Sequence, residues 1–158
     1  MYSFFIPGKP RGKGRPRLGK GVTYTDSKTR EYEELVKWTF KQKYGNIKPF
    51  AEKIPVAVLI IAYYKQPKKF TKAEKEAVID GTLFPTAKPD SDNIAKIILD
   101  PLNKLAFNDD NQVVRLVVEK RYSICDEDVG VKVFITDYLE HPELFKVDKR
   151  QMNLFEEE

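Results

Sequence analysis

The sequence predicts an α+β fold, an α/β-type mixed sheet flanked by helices, in a single compact domain. Its 158 residues, 41% of them hydrophobic, are enough to bury one core without disulfides or structural metals. Residues 54–64 form a nearly continuous apolar run of β-branched and aromatic side chains, which is typical of a central strand covered on both faces. Apolar residues at helical spacing before and after this run predict the flanking helices.

The first part of the chain predicts a strand, a loop and a helix. Residues Tyr2–Ile6 form a short apolar run that a Pro-Gly pair ends, as expected of a strand. The fifteen residues 8–22 hold five glycines and two prolines, which predicts a flexible loop or a loose hairpin. Asp26 or Ser27 is suited to cap a helix that follows, and Gly45 is suited to end it.

After the central strand, a Thr-x-x-Glu capping box at Thr71 predicts a short helix over Lys72–Ile79. A second helix begins near Asn93 and places one apolar row toward the core. The alternating segments Gln112–Tyr122 and Val129–Tyr138 predict a pair of strands joined at residues 126–128. The predicted domain is therefore 1–138, followed by a charged C-terminal tail, 139–158.

Positive charge is concentrated near the N-terminus. The formal net charge is only +4, yet six cations lie between Gly8 and Gly21, before the first acid at Asp26. Such density favours binding to DNA phosphates, and the alternative is a merely solvated loop. The six predicted DNA-binding cations are Lys9, Arg11, Lys13, Arg15, Arg17 and Lys20.

One acidic cluster lies just before the helix that begins near Asn93, and a second follows that helix. The stretch KPDSDN contains Asp90 and Asp92, and Asp92 is well placed to cap the helix. Lys96 and then Asp100 follow at four-residue intervals, so they share a helix face with Asp92. The stretch NDDNQ, residues 108–112, supplies the second cluster. These acids either ligate magnesium, which prefers carboxylate oxygens and retains waters, or are ordinary turn and cap residues.

Other chemistries fit poorly. In GRPRLGKG, Gly21 stands where a P-loop needs Ser or Thr, and no helix follows. After Asp90, Ala95 and Pro101 stand where a calcium loop needs glycine and glutamate. Cys125 and His141 are more simply structural or surface residues than a nucleophilic pair. With no secretory segment and no apolar run of membrane-spanning length, the sequence predicts a soluble, cytoplasmic protein that makes no membrane contact.

The run KPDSDNIAKIILDPLNKLAFNDDNQVVRLVVEK, Lys88–Lys120, resembles the signature of the RusA family of phage and prophage Holliday-junction resolvases. There a D-x-D-N-x-x-K helix is followed by an aspartate, Leu-Asn, and then Asp-Asp with Gln-Val. The segment YTDSKTREYEELVK is also similar to the family, and the resemblance covers roughly residues 1–138.

The resemblance implies a RusA-like fold and a homodimeric endonuclease, phage or prophage encoded and acting in the bacterial host's cytoplasm. It would resolve four-way DNA junctions by paired symmetric nicks in recombination, repair or replication, with one or two Mg²⁺ per active site. The alternatives are a non-catalytic structure-selective DNA-binding module and a metal nuclease for flaps or forks. The implied roles are catalysis by Asp90, Asp92, Lys96 and Asp110, metal binding by these three aspartates, and support from Asn93, Asp100 and Asp109.

One departure from the family pattern concerns Pro101, which follows Asp100 where such proteins usually carry a small residue. Because proline lacks the N–H, the helix is expected either to kink here or to restart with Asp100 as N-cap and Pro101 as the first helical residue. The role of Asp100 depends on which of these occurs.

The C-terminal tail carries a second motif. The peptide QMNLF, residues 151–155, resembles the QLxLF-type peptide by which bacterial DNA enzymes dock on the replicative sliding clamp. In that resemblance Gln151, Leu154 and Phe155 are the clamp-binding residues. The alternative is that Leu154 and Phe155 pack back on the domain or on a dimer partner.

Overall fold

A computed structural model of the protein describes residues 1–141. This part of the chain contains six strands and three α-helices. In order they are β1 (Tyr2–Pro7), β2 (Arg17–Gly19), β3 (Val22–Tyr24), α1 (Ser27–Tyr44), β4 (Val56–Tyr64), α2 (Lys72–Ile79), α3 (Ser91–Leu102), β5 (Val113–Tyr122) and β6 (Gly130–Asp137).

Four strands form a mixed sheet in the order β1-β6-β4-β5, and β2 pairs with β3 in a separate hairpin. β6 is antiparallel to both of its neighbours, whereas β4 and β5 are parallel. We call the edge where β4 and β5 begin, at Val56 and Val113, the amino edge of the sheet. The edge where they end, at Tyr64 and Tyr122, is the carboxyl edge.

The main core lies between one face of the sheet and helices α1 and α3. α1 contributes Val36 and Phe40, and α3 contributes its apolar row, all fully buried. A smaller cluster on the opposite face centres on Ala57, Leu59, Ile61 and Phe134. β4 is therefore buried on both faces, which confirms the predicted central strand and the α+β class.

Several predicted elements are confirmed with their end signals. Asp26 caps α1 by accepting from the Thr29 N–H at 3.0 Å, and Gly45, at φ 68°, ends it. The Thr71–Glu74 capping box starts α2 at Lys72 as predicted. Of the helices within residues 1–141, none is long and apolar enough to cross a membrane.

The predicted pairing of the last two strands is wrong. Both strands form, but β4 lies between them, so β5 pairs only with β4 and β6 pairs with β4 and β1. The physical reason is that β4 is buried along almost its whole length, so its backbone N–H and C=O groups need a hydrogen-bonded strand on each side. β5, whose residues are mostly half-buried or exposed, takes the edge position.

Candidate functional site

The basic N-terminal segment, residues 8–21, forms one wall of an open groove of about 1120 Å³. The start of α1, residues 88–90 and Asn93 form the rest of its lining. Asp90 and Asn93 thus face the same groove as five of the six predicted cations. Those five are Lys9, Arg11, Lys13, Arg15 and Arg17, while Lys20 lies in the β2–β3 turn outside the lining.

Main-chain hydrogen bonds hold the basic segment against the two helices. The Lys13 N–H donates to the Asn93 carbonyl at 2.9 Å, and the Gly14 N–H donates to Thr29 Oγ1 at 3.2 Å. Gly12 packs so closely that a Cβ there would lie 2.7 Å from the Pro89 Cβ. The predicted loop is therefore fixed at its base, directly beside the start of α3.

Lys13 differs from the other cations of the segment. Its ammonium pairs with Asp100 Oδ2 at 2.7 Å and also with Glu33, so one lysine joins α1 to α3. Burial opposes its charge, but the hydrogen bonds that its ammonium donates to these two carboxylates outweigh that effect and raise the pKa of Lys13. The other five cations are exposed and form no ion pair with any carboxylate in residues 1–141.

The helix carrying the acidic motif begins two residues earlier than predicted. α3 starts at Ser91, and its N-cap is Asp90, whose backbone is extended and whose carbonyl accepts from the Ile94 N–H at 3.0 Å. The prediction that Asp92 caps the helix is therefore wrong. Asp92 instead lies in the first turn, and the Asp90 carboxylate makes no capping bond. Both carboxylates are exposed, and that of Asp90 lines the groove.

The charged face of α3 forms as predicted. Lys96 Nζ lies 3.6 Å from Asp92 Oδ2, one turn away, and both side chains are exposed. Asp100, on the same face, is bound by Lys13. The helix continues through Pro101 and ends at Leu102, so the predicted restart at Pro101 is wrong. Only the last turn loses an N–H, and the Asn103 N–H still donates to Leu99 at 3.0 Å.

Two residues that the motif pattern missed support the acidic motif from the sheet. The Tyr64 hydroxyl, at the end of β4, donates to the Pro89 carbonyl at 3.4 Å. Burial, and then the nearby Asp90 carboxylate, raises the pKa of Tyr64 to about 12. Lys120 Nζ lies 5.4 Å from the Tyr64 ring centroid and donates to the Ala87 carbonyl. Their only signal in the sequence is their position near strand ends.

The second acidic cluster lies in a short 3₁₀ turn, residues 110–112, before β5. Asp109 caps this turn by accepting from the Asn111 N–H at 3.0 Å, a bond that lowers the pKa of Asp109. Gln112 fixes the turn to the sheet by donating to the Ala51 and Ile54 carbonyls at 2.8 and 3.1 Å. Asp109 thus has a structural role, whereas Asp110 is exposed.

The two acidic clusters lie at opposite edges of the sheet. Asp90 is beside Tyr64 at the carboxyl edge, and Asp110 precedes Val113 at the amino edge. The twelve residues of α3 run between them and span about 18 Å. Accordingly, residues 1–141 contain no group of three or more acidic, histidine or cysteine side chains able to hold a metal. Asp90 and Asp92 alone provide two carboxylates, which suits a magnesium ion that keeps several waters.

The candidate clamp-binding residues Gln151, Leu154 and Phe155 lie outside the described residues. The structure therefore leaves that prediction as it stands.

Comparison with known proteins identifies a family and a relative. The sequence model of a family described as "Endodeoxyribonuclease RusA" matches residues 7–136. A Bacillus subtilis (strain 168) protein named "Uncharacterized protein YqaN" is 36% identical over 143 residues, which cover 85% of this chain and 94% of that protein. The family match spans β4, β5, all but the last residue of β6, and both acidic clusters.

Proposed function

The chain belongs to the RusA family of endodeoxyribonucleases, and on that basis we propose that it is a magnesium-dependent enzyme that cuts four-way DNA junctions by paired symmetric nicks. Membership of this family makes the protein a nuclease of the Holliday-junction resolvase type. The magnesium dependence, the dimer and the individual residue roles are parts of the proposal.

The observation that carries the proposal is the shared groove of the basic segment and the acidic motif. Four exposed cations, Lys9, Arg11, Arg15 and Arg17, line the groove together with Asp90 and Asn93. A DNA backbone neutralised by these cations would bring a phosphodiester to the exposed Asp90 carboxylate. An acidic side chain in a phosphate-binding groove repels the ligand unless a cation lies between them, which favours a metal at Asp90.

Asp90 and Asp92 are the residues that would hold magnesium at the start of α3. A bound magnesium ion lowers the pKa of a water and stabilises the departing oxygen. Lys96, tethered to Asp92, would place a positive charge beside the phosphate during cleavage. Asn93 holds the basic segment through its carbonyl and lines the groove, which supports its assignment as a supporting residue.

Asp110 fits the proposal only if a second copy of the chain supplies it. Within one chain, Asp90 and Asp110 lie at opposite edges of the sheet, with the length of α3 between them. A partner related by a two-fold axis can place the amino edge of its own sheet, with its Asp110, beside the carboxyl edge of this one. β5 begins three residues after Asp110 and is an edge strand with exposed Val114 and Leu116, 57% and 42% accessible. Exposed apolar side chains on an open strand edge favour contact with a partner.

The proposal is tested by incubating the protein with a synthetic four-way junction, a flap, a fork and a linear duplex, each with and without Mg²⁺. We expect paired symmetric nicks in the junction that require Mg²⁺. Preferred cutting of flaps or forks would favour the alternative metal nuclease. Binding without any cleavage would favour the non-catalytic DNA-binding module.

The Asp90→Asn variant makes the same experiment specific to the site. We expect it to abolish nicking while junction binding is kept or tightened, because the repulsion between carboxylate and phosphate is removed. The matched control is Glu52→Gln, an exposed carboxylate in the loop before β4. Wild-type nicking by Asp90→Asn would overturn the assignment.

Clamp binding by the tail, residues 139–158, is a separate part of the proposal and rests on the QMNLF peptide alone. Deleting residues 151–158 should abolish binding to the purified bacterial sliding clamp while junction nicking continues. The assignment fails if the intact protein does not bind the clamp or if the shortened protein binds it equally well.

A further inference from the structure

A second cluster of exposed cations lies on the segment between β4 and α3. Lys68 and Lys69 precede α2, Lys72 is its first residue, and Lys75 follows one turn later. We call these four exposed lysines the lysine patch. Together with the paired Lys65 they place five lysines within eleven residues, 65–75, a density similar to that of the basic segment.

The lysine patch lacks the ion pairs that other lysines of the chain form. Lys37, Lys65 and Lys96 lie 3.0, 2.7 and 3.6 Å from a carboxylate. In contrast, none of the four patch lysines forms an ion pair with a carboxylate in the described part of the chain. The nearby Glu74 side chain is held by the Thr71 N–H at 2.7 Å. The patch therefore keeps its positive potential for an external anion.

The patch is fixed to the same sheet edge as Asp90. Gln66 Nε2 donates to the Ser123 carbonyl at 2.8 Å, and the Ser123 N–H donates to the Tyr64 main-chain carbonyl at 2.8 Å. The Phe70 ring packs edge-on against Tyr122 with 5.2 Å between centroids. Tyr64 also contacts Pro89, so a single residue links the base of the patch to the acidic motif.

The lysine patch and the basic groove are separate surfaces. Lys68 and Lys75 border a smaller groove of about 440 Å³, and this groove shares no lining residue with the groove at Asp90. A linear duplex that lies along the basic segment and passes Asp90 contacts the protein only in the groove at Asp90. A branched DNA sends another arm away from the cut site, and that arm needs cations on a different surface.

We infer that the lysine patch binds the phosphate backbone of a second arm of branched DNA, so that one protomer contacts two arms on either side of its cutting site. This inference rests on the proposed function and adds a surface that selects branched over linear DNA. The basic segment supplies affinity for any duplex, and the patch acts only when a second arm is present.

The test compares two variants with the same change in charge. The patch variant replaces Lys68, Lys69, Lys72 and Lys75 with Gln, and the control variant does so for Lys37, Lys41, Lys43 and Lys53, which lie outside both grooves. Each loses four charges, so the formal net charge falls from +4 to zero. Affinities for a four-way junction and a linear duplex are measured against salt concentration, in EDTA and in the Asp90→Asn background.

We expect the patch variant to bind the junction at least about tenfold more weakly, with a salt slope smaller by up to ~3.6, at about 0.9 per lost phosphate contact. Duplex binding should stay close to that of the unaltered protein, and the control variant should change neither affinity. Lys→Arg replacement at all four patch positions should restore junction binding. Circular dichroism checks that each variant is folded.

Two outcomes distinguish failure of this inference from failure of the proposed function. If the unaltered protein prefers the junction and the patch variant behaves like the control variant, the inference is wrong and the proposed function stands. If the unaltered protein binds junction and duplex equally and never nicks the junction, both are wrong.

Discussion

At the scale of single residues, Lys96 is the cation that pairs with Asp92, one of the proposed metal ligands. We expect Lys96→Met to lower the junction-nicking rate about 10²–10³-fold, the loss typical when one charge-stabilising donor is removed from an active site. Junction affinity should change little, since Lys96 lies outside the groove lining. The measurement is the single-turnover nicking rate with saturating protein.

The matched control for this prediction is Lys37→Met. Lys37 is likewise partly exposed and paired with a carboxylate on its own helix, Glu34 at 3.0 Å, but it lies on α1 outside the groove. Equal nicking rates in the two variants would contradict the role of Lys96.

Tyr64 makes the stability of the protein depend on alkaline pH. Its pKa is raised to about 12 in the folded protein, mainly by burial and then by Asp90, against an ordinary value near 10. Because the Tyr64 hydroxyl loses its proton at a higher pH in the folded than in the unfolded protein, the unfolding free energy is unaffected below about pH 10 and falls as the pH rises toward 12. We expect Tyr64→Phe to reduce the fall in unfolding free energy over this range, as measured by urea denaturation.

An exposed tyrosine provides the comparison. Tyr24→Phe alters a ring that is 49% accessible and should keep the wild-type pH dependence. The prediction fails if Tyr64→Phe and the wild-type protein lose stability equally between pH 10 and 12.

The sequence identified the charged residues of the candidate site better than it identified what each contacts. Asp92 and Lys96 pair as their four-residue spacing predicts, because helical geometry alone fixes that distance. Asp90 replaces Asp92 as N-cap because the choice depends on the path of residues 88–90. Lys13 belongs to a run of DNA-binding candidates in the sequence, and only the fold reveals that Glu33 and Asp100 surround it.

At the scale of elements, Lys13 joins the basic segment to α1 and α3. We expect Lys13→Met to lower the unfolding free energy by about 1.5–3 kcal/mol, the range for hydrogen bonds to charged groups, because two carboxylates lose their partner. Lys9→Met, which alters an exposed cation of the same segment, should leave stability unchanged and weaken DNA binding. Urea denaturation and a junction-binding assay together separate the two roles.

The opposite pattern would contradict this assignment. If Lys13→Met keeps full stability and lowers only the DNA affinity, as expected for Lys9→Met, then Lys13 is a DNA-binding cation and the ion pairs with Glu33 and Asp100 contribute little.

Elements with strong local signals were predicted accurately, whereas strand neighbours were not. The capping box of α2 and the glycine that ends α1 act within a few residues, so the sequence shows them directly. The position of β6 between β1 and β4 depends on contacts between distant parts of the chain. Alternation along β5 and β6 indicates two strands equally well whether or not they pair with each other.

At the scale of the whole molecule, the sheet separates the two acidic clusters that the family signature brings together in sequence. Asp90 and Asp92 lie at the carboxyl edge, and Asp110 lies at the amino edge beside β5, an edge strand of the sheet within residues 1–141. A four-way junction is two-fold symmetric and needs two opposed nicks, so a symmetric dimer suits both the substrate and the separation of the acids. The central claim is therefore a metal site shared between two copies of the chain.

Subunit mixing tests this claim most directly. Asp90→Asn and Asp110→Asn should each be inactive alone, and the two proteins are unfolded together, refolded and assayed for junction nicking with Mg²⁺. If Asp110 acts on the partner's Asp90, a mixed dimer holds one intact site and one doubly altered site, so single-strand nicking returns. If the three aspartates act within one chain, every site of the mixed dimer carries one substitution, and the continued absence of nicking would contradict the shared site.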